Sequence, residues 1–225
     1  MTSLVLAALF FVGIHPLVSG SRLRATIVAR IGEAGFQGLF SLLSLVGLVW
    51  LGWAYARAPE IPLWGQLRVL APLVLVLTLV AFLLAAIGLT TPSPTATGGE
   101  GRLDRDDAAT GILRVTRHPF LWGVAVWAAA HLLVNGDLAA LVLFGALLAL
   151  ALLGPPQIDA KRRARFGDRW ERFAAVTSNV PFAAIAAGRN RLHVEEIRWW
   201  QVALAVAVWA LVLWQHGRLF GAPVL

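Results

Sequence analysis

The chain has 225 residues, of which 59% are hydrophobic and only 14% charged. A soluble domain carries roughly 45–50% apolar and 25% charged residues, so this composition excludes both a water-soluble fold and a disordered chain and marks a multi-pass membrane protein. The net charge of +7 gathers into no separate basic domain, which excludes a nucleic-acid-binding module.

Six apolar stretches follow one another, at 2–14, 38–56, 69–89, 120–134, 138–153 and 199–214. A helical span takes about 20 residues, and those of only about 15 predict tilt or local thinning of the bilayer. An open sheet cannot sit in lipid, so the stretches are read as helices. The expected fold is all-α: a six-span transmembrane bundle forming one integral membrane domain over 1–225. The first stretch has no basic residue before it and no A-x-A site after it, so it reads as an uncleaved span. Arg22, Arg24 and Arg30 follow it at once.

The 90–113 segment is rich in Pro, Gly, Ser and Thr and contains Asp106-Asp107, which predicts a mobile cytoplasmic loop. Asn135-Gly136-Asp137 is expected as the tight outer turn between spans 4 and 5. Pro155-Pro156 should end span 5. The basic, Trp-bearing stretch 162–175 after it predicts a helix lying on the membrane surface. Trp50, Trp53, Trp64, Trp199, Trp200 and Trp214 sit near span ends, as an aromatic belt would.

Arginine and lysine test this layout. The loops after spans 1, 3 and 5 hold 16 of the 19 basic residues, and only Arg57, Arg68 and Arg218 fall on the other side. The positive-inside rule then puts those three loops in the cytoplasm and both termini outside, which for a bacterial chain means the inner membrane.

Cysteine is absent. That excludes disulfides, thiol nucleophiles and thiolate metal sites, and leaves His15, His118, His131, His193 and His216 as the main candidate ligands. His131 lies inside span 4 among Ala128, Ala129 and Ala130. It reads either as a histidine bonded to a neighbouring helix or as a haem axial ligand with small neighbours that admit a flat macrocycle. His15 ends span 1 before Pro16, either as a helix terminus or as a ligand. Arg117-His118-Pro119 opens span 4. Proline is ordinary there, and the Arg-His pair is either snorkelling charge or a holder for an anionic group such as a haem propionate. His193 and His216 lack supporting context, and Gly98-Gly99 lacks the flanking pattern of a phosphate loop.

Five segments resemble the NnrU family and its relatives, the 15-cis-zeta-carotene isomerases. They are Val12-Gly13-Ile14-His15-Pro16, Gly38-Leu39-Phe40-Ser41-Leu42-Leu43-Ser44, the run 110–119 ending in Arg117-His118-Pro119, the run 130–137, and Thr177-Ser178-Asn179-Val180-Pro181-Phe182-Ala183-Ala184-Ile185. The resemblance covers roughly residues 5–190 and implies a multi-pass membrane protein. The isomerase branch implies haem b, with ligands matching His15 and His131, and a redox-dependent cis–trans rotation in a lipophilic polyene. The reading of the residues adds an expected redox partner, Arg117 at a propionate, and His131 or His118 at the reacting centre. The NnrU branch implies a non-catalytic haem or assembly role in nitrite and nitric oxide respiration, that is, denitrification.

A weaker resemblance links Arg117-His118-Pro119 and 165–173 to isoprenylcysteine-type membrane methyltransferases. Where those carry a Glu-Glu pair, this chain reads Gln157-Ile158-Asp159-Ala160-Lys161.

Depth gives one further expectation. Thirteen residues of helix at 1.5 Å each set His131 roughly 20 Å outward of His118. His15, at the inner end of span 1, then pairs more easily with His118 than with His131.

Overall fold

The computed structural model describes residues 1–19, 22–105 and 107–221. Asp106 of the expected loop lies outside the described residues, as does the Arg22 side chain. The chain is mostly helical. By contact it divides into two compact units, one of residues 1–70 with 131–150 and one of 71–130 with 151–225. Among the described residues, four helices are long and apolar enough to cross a membrane: Leu23–Tyr55, Arg68–Thr90, Leu138–Phe166 and Trp199–Phe220. Two shorter apolar helices accompany them, Thr2–Val18 and Pro119–Val134.

In the first unit, α1 (Thr2–Ile14) runs on through a wider turn at His15–Ser19. It packs antiparallel against α2 (Arg22–Tyr55). Leu4, Ala7, Ala8 and Phe11 meet Leu51 and Ala54, and Ala139 closes the cluster. Trp50 Nε1 donates to Ser3 Oγ at 3.1 Å and so fixes the start of α1 beside the end of α2. The sequence placed residues 22–37 in a loop. They are helical, with a break at Gly32, whose φ of 74° suits glycine.

The 135–137 segment is more than the expected turn, and the chain is not purely helical. β1 (Pro62–Gln66) pairs antiparallel with β2 (Asn135–Asp137), Gly65 facing Gly136. A Cβ on Gly136 would lie 2.2 Å from the Gly65 carbonyl oxygen, so only glycine permits the pairing. Leu67 N–H to Val134 O and Leu138 N–H to Ile61 O extend the ribbon.

The second unit holds α3 (Ala71–Thr90), α4 (Ile112–Val115), most of α5 (Pro119–Val134), the later part of α6 (Leu138–Phe166), α7 (Asp168–Val176), α8 (Ala183–Ala186) and α9 (Trp199–Phe220). α3 and α9 pack along their lengths. Their in-span polar groups satisfy one another: Trp209 Nε1 donates to Thr78 Oγ1, and Gln201 Nε2 to Thr90 and Thr91. α3 meets α5 at glycines, because a Cβ on Gly123 would come within 2.7 Å of the Ala81 carbonyl.

Three expectations are corrected here. Pro155-Pro156 do not end span 5, since α6 runs on to Phe166. Each proline removes one rung of the helix, but contacts beyond them hold the next turns. Arg162 binds Glu100 at 2.6 Å and the Ala96 carbonyl at 2.9 Å, and Asp159 is anchored as described below. The 162–175 stretch is not one surface helix. Gly167 (φ 49°) divides it, and the apolar face of α7, Trp170 and Phe173, is buried against Leu103 and Ala108 rather than left for lipid. The 90–113 segment, expected to be mobile, carries a short 3-10 turn at Glu100–Asp104 and buries Ser93, Leu103 and Ala108.

A buried His–Asp centre beside a cavity as candidate functional site

Two of the segments that carry the resemblance, 110–119 and 177–185, dock on each other. Phe182 N–H donates to Val115 O, and Arg117 N–H to Ser178 O. Thr116 Oγ1 donates to Asn179 O at 2.5 Å, and Trp122 Nε1 to Asn179 Oδ1 at 3.2 Å. Ser178 Oγ takes the Ala184 amide and donates to Val180 O, which shapes the turn. Phe182 sits there at φ 63° with its ring exposed, a costly conformation for a bulky residue.

This docking carries Arg117 and His118 into the protein. His118 is 3% exposed. Its Nε2 donates to Asp159 Oδ1 at 2.7 Å. Arg117 Nε donates to Asp159 Oδ2 at 2.9 Å, Nη1 reaches Thr177 Oγ1 at 3.2 Å, and the guanidinium lies over the Trp170 ring. One carboxylate from α6 thus holds both cation-forming residues at the mouth of α5. The pair is desolvated, so each partner depends on the other.

A cavity of about 530 Å³ opens beside His118. Leu89, Phe120, Leu121 and Ile158 are among its apolar lining residues, and Thr91 and Thr97 among its polar ones. Nearby, Arg114 grips Glu196 with two bonds of 2.7 Å, and the Gly111 amide adds one of 2.6 Å. These bonds, Arg114's first, hold the Glu196 carboxyl down to about 2.

His15 and His131 both belong to the first unit. His15 Nδ1 donates to the Phe11 carbonyl at 2.7 Å, and its ring packs edge-on to Phe11 and Phe40. His131 stacks on Phe144 at 4.8 Å, and Phe144 in turn meets Tyr55. Phe40 and Tyr55 stand fifteen residues apart on the unbroken part of α2, about 22 Å along its axis. Two imidazoles on one iron must bring their nitrogens within about 4 Å, given Fe–N near 2 Å. His15 thus packs beside Phe40 and His131 beside Phe144, at different levels along α2. Arg117, expected at a propionate, is committed to Asp159 and Thr177. His193 pairs with Glu195 outside the cavity.

Sequence reasoning gives no role to Asp159, Thr177 or Asn179, although the last two lie in a segment that carries the resemblance. Asp159 was in view only as the residue standing where a methyltransferase has its Glu-Glu pair. With Pro155-Pro156 read as a stop, it looked like a loop residue.

Fold and site together describe a helical membrane protein with a polar centre at the end of one of its apolar helices. The family model for the NnrU protein matches residues 3–224, and the chain belongs to that family. It is similar to the 15-cis-zeta-carotene isomerase of Zea mays chloroplasts, 39% identical over 83 residues, which is 37% of this chain and 23% of the maize protein. It is also similar to that of Arabidopsis thaliana, 34% identical over 116 residues, 52% of this chain and 31% of the relative. The matched region thus covers less than a third of either isomerase. No solved structure matches the chain.

Proposed function

We propose that the chain is a multi-pass membrane cis–trans isomerase of a lipophilic polyene, and that the cavity beside His118 is its substrate site. The observation that carries this reading is the similarity to the two plant isomerases. The cavity adds a place for the reaction. It is apolar enough for a polyene, and it has one buried, precisely held imidazole in its wall. Isomerisation moves no atoms between molecules, so the residues' task is to bind and orient the polyene while one double bond rotates. Asp159 and Arg117 act as positioning residues for His118. Haem b, with His15 and His131 as the ligands that the resemblance implies, remains part of this reading, and an absorption spectrum of the purified protein tests it.

In the membrane, the six spans of the proposal are the four long helices plus the two shorter ones. The arginine distribution favours the inner membrane of a bacterium, with both termini outside.

Expression in cells that accumulate a 15-cis polyene, supplied as hydrocarbon and as hydroxylated carotenoid, tests the activity. Loss of the 15-cis isomer of either, with His118→Ala slowing it at least tenfold, is the expected result. Unchanged isomer ratios for both, with the protein present in the membrane, overturn it.

A further inference from the structure

Part of the lining of the cavity beside His118 is built differently from the rest. Leu89, Phe120, Leu121 and Ile158 stand on α3, α5 and α6. Much of the remaining lining comes from residues 91–99, which have no helix or strand. That segment is folded on itself. Ala96 N–H donates to Ser93 O, Gly99 N–H to Ala96 O, and Arg102 N–H to Gly99 O. A Cβ on Gly99 would clash with the Ser93 carbonyl. Its fastening to the rest of the chain falls largely to one side chain. Arg162, near the end of α6, donates from Nη1 to Glu100 at 2.6 Å and from Nη2 to the carbonyls of Ala96 at 2.9 Å and Thr95 at 3.3 Å. Thr95 Oγ1 adds a bond to the Arg117 carbonyl at 3.0 Å, and Gln201 Nε2 reaches Thr91, at the start of the segment, at 3.3 Å. Arg162 follows Asp159 by three residues, which sets both on one face of α6. That face holds His118 through Asp159 and the 91–100 segment through Arg162.

We propose that residues 91–100 are a strap that lifts to admit the polyene to the cavity, and that Arg162 is its clasp. The proposal rests on reading the cavity as the substrate site. One guanidinium makes the bonds to Glu100, Thr95 and Ala96, so its release frees all of them in a single event. The turn bonds inside the strap are untouched, and the strap moves whole. Ala96, Thr97 and Gly98 are exposed, and segments with so little buried apolar contact are the ones that open locally. With the polyene inside, the clasp re-forms and the strap shields the rotating double bond from water. The clasp joins protein to protein and asks for no polar group on the ligand, so a pure hydrocarbon suits it.

The chain has no cysteine, so an introduced thiol reads access directly. Ile158→Cys puts one thiol in the cavity lining, and its modification by N-ethylmaleimide is timed in the purified full-length protein in nanodiscs. Adding Arg162→Met should raise the rate by about fivefold or more. Arg162→Lys keeps the charge but gives up the planar fork, and should fall between. An unchanged rate in both overturns the clasp. In a second protein, Glu100→Cys with Arg162→Cys puts thiols where the ion pair stood, and a short bis-methanethiosulfonate ties the strap to α6. Turnover of a 15-cis polyene hydrocarbon should fall by about fivefold or more in the tied protein and recover when the tie is reduced. Full turnover in the tied protein overturns entry beneath the strap. A wild-type protein that leaves the polyene unchanged, with the thiol rate still raised by Arg162→Met, overturns the isomerase reading and supports the clasp over the cavity.

Discussion

Asp159 is where Arg117 and His118 converge in a nearly dry place, and removing it exposes the asymmetry of buried ion pairs. The pair adds little net stability over an apolar substitute, but a lone buried guanidinium is costly. Asp159→Ala should therefore cost about 3–5 kcal/mol, read as a large fall in the thermal midpoint of the protein in detergent. Arg117→Met with Asp159→Leu should recover part of that loss. Phe182 offers the opposite sign. Its left-handed backbone is held by hydrogen bonds, its N–H donating to Val115 O and its carbonyl accepting from Ala186 N–H, and the residue is 55% exposed. Phe182→Gly should raise the midpoint, by up to about 1 kcal/mol of stability. Of these residues the sequence pointed to Arg117 and His118, because an Arg-His-Pro run at a span start is conspicuous. Asp159 carried no such mark. A single carboxylate among Gln, Ile, Ala and Lys looks solvated unless the helix is known to continue.

At the scale of elements, helices were legible and their ends were not. Apolar length gives a span, but where a helix stops depends on partners distant in sequence. α6 outruns two prolines because Asp159 finds anchors at Arg117 and His118, just before α5, and Arg162 on the 93–100 turn. α2 begins sixteen residues early because polar residues before Gly38 coil as readily as apolar ones. The 111–114 and 190–196 segments are tied by the Glu196 latch, and its pH dependence has a definite sign. The Glu196 carboxyl falls from an ordinary 4.5 to about 2 in the folded chain. Its stabilisation is fully present above about pH 4.5 and is lost as pH falls toward 2. Amide exchange of residues 190–197, corrected for intrinsic rate, should show protection declining across that window. Glu196→Gln should abolish the decline. At the α3–α5 crossing, Gly123→Ala meets main-chain atoms and cannot be absorbed by a side-chain shift. It should cost about 1–3 kcal/mol, measured as a lower midpoint with unchanged helix content.

For the whole molecule, hydropathy and charge placed the chain in a bilayer, and the family match over residues 3–224 agrees with the segments that resembled it. The pairing of Arg117 and His118 with Asp159 was not legible, because it depends on a helix continuing past Pro155-Pro156. The absence of cysteine provides a direct check of topology. Any cysteine introduced is the only thiol in the chain. Glu60→Cys should react with an impermeant maleimide on intact spheroplasts. Arg105→Cys should react only after permeabilisation. The reverse pattern would invert the proposed orientation.

The ribbon that joins residues 62–66 to 135–137 also sets an order of events in time. Its first strand leaves the ribosome roughly 70 residues before its partner, a delay on the order of 4–14 s at usual synthesis rates. Through that interval β1 waits with its edge unpaired and no side chain at Gly65 to shield it. The first hairpin of helices can pack early, but the ribbon beside it closes only once α5 has been made and Gly136 delivered.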